Sequence, residues 1–314
     1  DKHKMSKVLA ICISKHKGTL KNEVSEANFI EEFGIEGDAH AGKWHRQVSL
    51  LALEKIEDFR SKGGNVDFGA FGENLLVSNI DFPTLPIGSQ IQIGDTLLEL
   101  TQRGKSCHSH CAIYHQVGKC IMPTNGVFAK VLKGGKIKVG DKVKVIEVKP
   151  TKKRVAVLTL SDKGSKGLRE DLSGPYIKEY MEQHGYLVTS LDILPDDQKQ
   201  IEQMLIDLAD RRDNDLILTT GGTGLSPRDV TPEATLKVAT RLVPGMSEAI
   251  RYESMKYTNK AMLSRAVSVI RHQTLIINLP GSVKAVKESL DIIIDPLKHG
   301  LDVLKGEVQD CGEH

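Results

Sequence analysis

The segment Thr219 to Ala234 reads TTGGTGLSPRDVTPEA and joins a glycine-rich loop to an acidic residue. Gly221, Gly222 and Gly224 let the backbone approach a phosphate closely and turn several N–H groups toward it. Thr223 and Ser226 add hydroxyl donors. No Lys-Ser or Lys-Thr follows the glycines, so the loop is not a P-loop. A carboxylate beside phosphates would repel them unless a divalent cation lies between, which makes Asp229 a candidate Mg²⁺ ligand. Thr231 is placed to cap the helix that Pro232 opens. A lone loop of this kind serves as a plain turn about as often, and Asp229 equally suits capping the turn at Thr231.

Three further loops carry similar chemistry. They are Ser161-Asp162-Lys163-Gly164, Pro195-Asp196-Asp197 and Pro280-Gly281-Ser282. Asp196 is the natural second carboxylate beside Asp229, although its type also suits capping the helix that follows. Each loop comes directly after an apolar, strand-like run: Arg154 to Leu160, Leu187 to Leu194, Asp215 to Thr220 and Thr274 to Leu279. Between these runs lie helical patterns, such as Ile201, Met204, Leu205 and Leu208 at i, i+3, i+4, i+7. Ser173 is placed to cap the first helix, with Pro175 in its first turn. The alternation predicts a doubly wound α/β domain with a mostly parallel sheet, in which ligands sit at the carboxyl ends of the strands. All four loops fall there, and their convergence outweighs any one of them.

A second group of reactive types lies earlier. Cys107-His-Ser-His-Cys111 is followed by His115 and Cys120, and His40 and His45 stand near Gly37-Asp38. The spacing of Cys107 and Cys111 falls within the range of a zinc pair, yet no second Cys pair stands at such spacing. The neighbouring Arg103, Lys105 and Lys119 favour a reactive thiolate instead. This half reads as short strands and turns, with one helix over Leu51 to Lys62. Gly94-Asp95 and Gly140-Asp141, each between apolar runs, predict two hairpins, so the expectation is an N-terminal β-rich barrel with few helices.

The boundaries expected are 5–148 for the β-rich domain, 149–153 for a charged, Pro-containing linker and 154–314 for the α/β domain. Of the 314 residues 4% are aromatic and the net charge is +2, which argues against a base-stacking or general phosphate-backbone surface and hence against nucleic acid. No apolar run reaches the ~20 residues that span a bilayer, and the start lacks a signal-peptide cleavage pattern. Five cysteines, three of them clustered, make a poor disulfide framework and point to a reducing, cytoplasmic setting.

Thr159-Leu-Ser-Asp-Lys-Gly-Ser, Leu194-Pro-Asp, Leu218 to Ala234, Pro244-Gly-Met-Ser-Glu, Leu263-Ser-Arg and Asn278-Leu-Pro-Gly-Ser together resemble the MoaB/Mog family of molybdenum cofactor biosynthesis. The resemblance runs from about Arg154 to Gly306. It implies a homotrimeric domain that binds molybdopterin and, in the Mog-type members, transfers AMP from Mg-ATP to the molybdopterin phosphate. Carried over by motif, Asp229 and Asp196 become the acidic pair and, with Mg²⁺, its metal ligands. Gly221 to Gly224 become the phosphate and pterin cradle, with Ser161, Asp162, Ser226, Ser264, Pro280, Gly281 and Ser282 in the same pocket. The family holds both catalysts and binders, so a non-catalytic pterin carrier is the alternative.

Gly34-Ile-Glu-Gly-Asp-Ala-His-Ala-Gly, Arg46-Gln-Val-Ser-Leu-Leu, Phe71-Gly-Glu-Asn-Leu, the Cys107 to Cys111 region and Gly126-Val-Phe-Ala-Lys resemble a MOSC domain over about Val8 to Val148. That resemblance implies a β-rich fold in which one cysteine carries sulfur or contacts the cofactor, Cys107 first and Cys111 next. Partners implied for the whole chain are molybdopterin synthase, a molybdenum insertase or a molybdoenzyme.

Overall fold

The computed structural model describes residues 5–107, 114–115 and 118–307, and divides into two compact units, 1–150 and 151–314. Among the described residues no helix is long and apolar enough to cross a membrane.

Among the described residues the first unit has eleven strands. β1 (Val8–Ile13), β2 (Asn22–Val24), β5 (Val48–Ala52), β6 (Leu75–Val77), β7 (Gln90–Ile93), β8 (Thr96–Arg103), β9 (Val127–Lys133) and β11 (Val143–Ile146) form one sheet in the order β11-β7-β8-β9-β5-β6-β1-β2. β3 (Glu26–Ile30), β4 (Gly34–Ile35) and β10 (Gly135–Lys138) form a second, in the order β10-β3-β4. β8 alternates buried and half-buried residues along its whole length, as a strand with one face on a core must. Val8, Ile11, Leu50, Leu98 and Val131 pack inside, while Leu51, Ile56, Phe71 and Leu76 form a second core under α1 (Leu53–Ser61).

The expected closed barrel is not formed by the described ladders. Among the described residues, the edge strand β11 meets the start of β1, next to the other edge, only through an isolated Lys7–Lys142 bridge and flanking backbone bonds such as Val143 N–H to Ser6 O at 2.9 Å. One predicted hairpin also differs. Gly94-Asp95 does join β7 to β8, with Ile93 opposite Thr96. Gly140-Asp141 instead carries the chain between sheets: β10 pairs with β3, and β11 pairs with β7. Both partners are remote in sequence, so local turn chemistry could not specify them.

The second unit is a six-stranded sheet in the order β13-β12-β14-β17-β16-β15. β12 (Arg154–Leu160), β13 (Leu187–Leu194), β14 (Leu216–Thr220) and β17 (Thr274–Leu279) are parallel, while β16 (Ser268–Arg271) and β15 (Arg241–Leu242) add an antiparallel edge. Successive strand residues face opposite layers. Val155, Val157, Leu216 and Leu218 pack under the helices Ser173–Gln183, Pro244–Ser254 and Val283–Leu304. Ala156, Leu158, Leu160 and Ile217 pack under Gln198–Ile206 and Thr231–Val238. This is the three-layer, mostly parallel arrangement that the alternating pattern implies. The antiparallel edge was not read from the sequence, because two- and four-residue strands leave little periodicity.

Candidate functional site

β13, β12, β14 and β17 are consecutive in the sheet, so their carboxyl-end loops are neighbours. The Ser161 and Pro195 loops are clasped reciprocally. Asp162 N–H donates to Asp196 Oδ2 at 3.1 Å, and Asp196 N–H donates to Asp162 Oδ1 at 3.0 Å. The third and fourth loops are joined by Thr220, whose hydroxyl donates to Pro280 O at 2.6 Å.

Several hydroxyls play parts different from those expected. Ser173 does not cap its helix; its hydroxyl donates to Gly281 O at 2.6 Å, and Asp171 accepts the Gly174 N–H at 3.0 Å in its place. Thr231 does not cap either, since its hydroxyl donates to Gly221 O at 3.0 Å and holds the glycine loop. Ser161 accepts the Gly164 N–H and Ser282 accepts the Ala285 N–H, so both serve as helix N-caps. Asp197, not Asp196, caps the helix Gln198–Ile206, which leaves Asp196 available to the site.

The glycines are required sterically. Gly221 and Gly222 have φ of 93° and 68°, a region costly for side-chain-bearing residues. A Cβ on Gly222 would lie 2.3 Å from Thr231 Oγ1 and 3.0 Å from Asp196 Oδ1. The backbone therefore passes directly over the Asp196 carboxylate. Asp229 sits further along the same loop and accepts the Ser226 N–H at 3.1 Å.

The acidic residues are held in different states. Arg228 forks onto Asp162 at 2.9 and 2.8 Å and keeps that carboxyl below the usual carboxylate range. Burial pushes Asp196 up. The Asp162 N–H opposes that shift, and the Asp162 and Asp229 charges add to it. Asp196 Oδ1 is buried without a hydrogen-bond partner. An orphaned carboxylate oxygen at a loop that bares its backbone suits a cation or a donor brought in by a ligand. Among the described residues no three His, Cys, Asp or Glu side chains converge to cage a metal.

Beside the loop lies a cavity of about 290 Å³. Thr223, Gly224, Ser264 and Pro280 line it, and Arg251, Lys260, Asn278 and Glu288 add polar groups. Asn278 is fully buried; its amide donates to Thr219 and Thr235 hydroxyls at 3.0 Å each, fixing the wall between β14 and β17. Arg265 ties the far side, donating to Gly224 O at 2.8 Å, to Asp229 O at 2.6 Å and to Glu233. The sequence reading gave no role to Arg228, Arg265, Lys260, Asn278 or Glu288. Arg228, Arg265 and Asn278 stand inside the motifs Leu218 to Ala234, Leu263-Ser-Arg and Asn278-Leu-Pro-Gly-Ser and could have been found there. Lys260 and Glu288 come from segments that only the fold brings to the cavity.

A probable molybdopterin-binding domain matches residues 156–299, and a MOSC domain matches residues 37–144. A molybdopterin adenylyltransferase of Helicobacter pylori is 41% identical over 163 residues, which is 51% of this chain and 92% of that protein. Through its C-terminal half the chain belongs to the molybdopterin adenylyltransferase family. The Escherichia coli molybdopterin adenylyltransferase is 43% identical over 146 residues, 45% of this chain and 74% of the relative. The solved structure of the molybdopterin biosynthesis enzyme MoaB from Thermus thermophilus aligns at a TM-score of 0.47 with 44% identity, over 49% of this chain and 96% of its own. The MOSC match lies within the N-terminal unit. Of its candidate cysteines, Cys107 is exposed, whereas Cys111 lies outside the described residues.

Proposed function

We propose that the C-terminal unit adenylylates molybdopterin at the four-loop site. The observation that carries this is the glycine loop. It borders the acidic residues Asp196 and Asp229 and, through Thr223 and Gly224, the cavity. The cavity takes the pterin, and the loop and carboxylates take the triphosphate of ATP. An oxygen of the molybdopterin phosphate attacks the α-phosphorus of ATP. The new P–O bond forms as the bond to the bridging oxygen breaks, and pyrophosphate leaves.

Asp229 and Asp196 would hold Mg²⁺, which when bound neutralises charge on the phosphates. The chain's own contribution is positioning: the Gly221 N–H is spent on Leu279 O, and the backbone N–H groups of Gly222 to Gly224 with the hydroxyls of Thr223 and Ser226 fix the phosphates. Ser161, Asp162, Ser264, Pro280, Gly281 and Ser282 shape the surrounding loops. The assembly is a homotrimer through this unit, and the MOSC domain handles cofactor or sulfur through Cys107. Incubating the protein with Mg-ATP and molybdopterin should yield a product heavier by one adenylyl group in mass spectrometry. Molybdopterin recovered bound but unmodified would replace catalysis with a carrier role.

A further inference from the structure

The cavity beside the glycine loop has apolar walls from Ile250, Leu263, Ala266 and Ala285, and Glu288 is the one carboxylate among the described residues that line it. Glu288 follows Ala285 by three residues on the helix Val283–Leu304, so both lie on one face of that helix. Most other polar groups at the cavity are spent within the protein. The Asn278 amide donates to Thr219 and Thr235, and its oxygen accepts the Val267 N–H at 3.2 Å. The Ser247 hydroxyl donates to Ser268 at 2.9 Å, and Arg251 Nη1 donates to Ser264 O and Ala266 O at 2.9 and 3.2 Å.

Glu288 is not spent in this way. Its side chain keeps only 16% of its surface, and its one ion pair among the described residues is with Lys284, whose Nζ lies 4.0 Å away. That is too far for a hydrogen bond, and the lysine side chain is 85% exposed. A carboxylate drawn out of water with no donor against it carries a desolvation cost that a ligand's N–H groups relieve. Two carboxylate oxygens side by side accept best from two parallel N–H groups. The 2-amino-4-oxopyrimidine ring of a pterin offers such a pair on one edge, the 2-amino N–H and N3–H. Adenine, the ring of the second substrate, sets its one amino donor beside a lone pair.

We propose that Glu288 is the specificity-determining residue of the cavity: it reads the 2-amino and N3–H edge of the pterin and keeps the adenine ring out. This rests on the cavity's holding the pterin, as proposed above, and adds the atoms by which the ring is chosen. The apolar walls cover the faces of a flat ring, and the carboxylate selects its edge.

Pterin and lumazine, which carries a 2-oxo group in place of the 2-amino group, separate the two readings. Each is titrated against the full chain at pH 6, where both rings are neutral, and followed by the ligand's own fluorescence. Lumazine has a carbonyl on either side of N3–H, so one carboxylate oxygen always meets a lone pair. The unaltered chain should bind pterin about tenfold or more tighter than lumazine. Glu288→Gln puts one acceptor and one donor there, which suits N3–H with a neighbouring carbonyl in either ring, so the ratio should fall to about one. A preference lost while lumazine still binds does not come from a damaged fold. No preference in the unaltered chain, or one that Glu288→Gln leaves unchanged, would overturn the reading of the edge while leaving the pterin in the cavity. Binding of neither ring would remove the pterin from the cavity, and the role of Glu288 with it.

Discussion

At the residue scale, the site separates carboxylates by what surrounds them. Asp162 is paired with Arg228 and stays ionised, whereas Asp196 is half-buried beside two like charges. A metal-holding carboxylate must be ionised, so the acid limb of adenylylation should lie above the ordinary carboxylate range. Asp162→Asn removes one of the charges that raise Asp196 while keeping an oxygen to accept the Asp196 N–H. That variant should move the limb to lower pH in a pH–rate profile, and an unmoved limb would exclude Asp196 as the group seen. Asp229→Asn should lower turnover by at least about a hundredfold with little change in pterin affinity, because phosphate transfer relies on charge neutralisation and pterin binding does not. Equal losses of both would make Asp229 a binding residue only.

At the element scale, the parallel sheet is what makes one site from four distant segments. Asn278 on β17 bridges Thr219 on β14 and Thr235 on the helix Thr231–Val238. Asn278→Ala should cost about 1–3 kcal/mol in denaturant unfolding, since it strands buried polar groups. A neutral result would show that water replaces the amide. Much of this unit was legible in the sequence: nearly continuous apolar runs such as Arg154 to Leu160 mark strands buried on both faces, and the loops after them were located by that alone. The cap assignments were less legible. Ser173 and Thr231 have the right type at the right place for capping, yet tertiary carbonyls of Gly281 and Gly221 take their hydroxyls. In the first unit, the pairing of β10 with β3 and β11 with β7 depends on partners fifty or more residues away, which no turn dipeptide encodes.

At the scale of the whole molecule, the two units should respond differently to pH. Burial pushes the Glu73 carboxyl up to about 7, against a backbone N–H from Gly69 that opposes the shift. A raised carboxyl pKa means the folded state holds a proton that the unfolded chain has released. Its contribution is therefore present at low pH and is lost as pH rises from the unfolded carboxyl range, ~4.3, through about 7. The single tryptophan, Trp44, lies in this unit, so its fluorescence reports on it alone. His40, whose imidazole burial holds down to about 4, pulls the other way below its free value, so the readout is the difference between two chains: the stability of the unaltered chain relative to Glu73→Gln, read by Trp44, should fall between pH 5 and pH 8. A difference that does not change with pH would mean Glu73 is ionised when folded. In the same unit, Lys21→Met should cost about 3–5 kcal/mol, because it leaves the buried Asp38 charge uncompensated.

The central claim is that the glycine loop with Asp196 and Asp229 is a catalytic site and not only a pterin cradle. Pyrophosphate release by the full chain, measured with Mg-ATP in the presence and absence of molybdopterin, tests it most directly. The account predicts release that requires molybdopterin and disappears in Asp229→Asn while the pterin still binds. Saturable pterin binding with no pyrophosphate from the unaltered chain would contradict it.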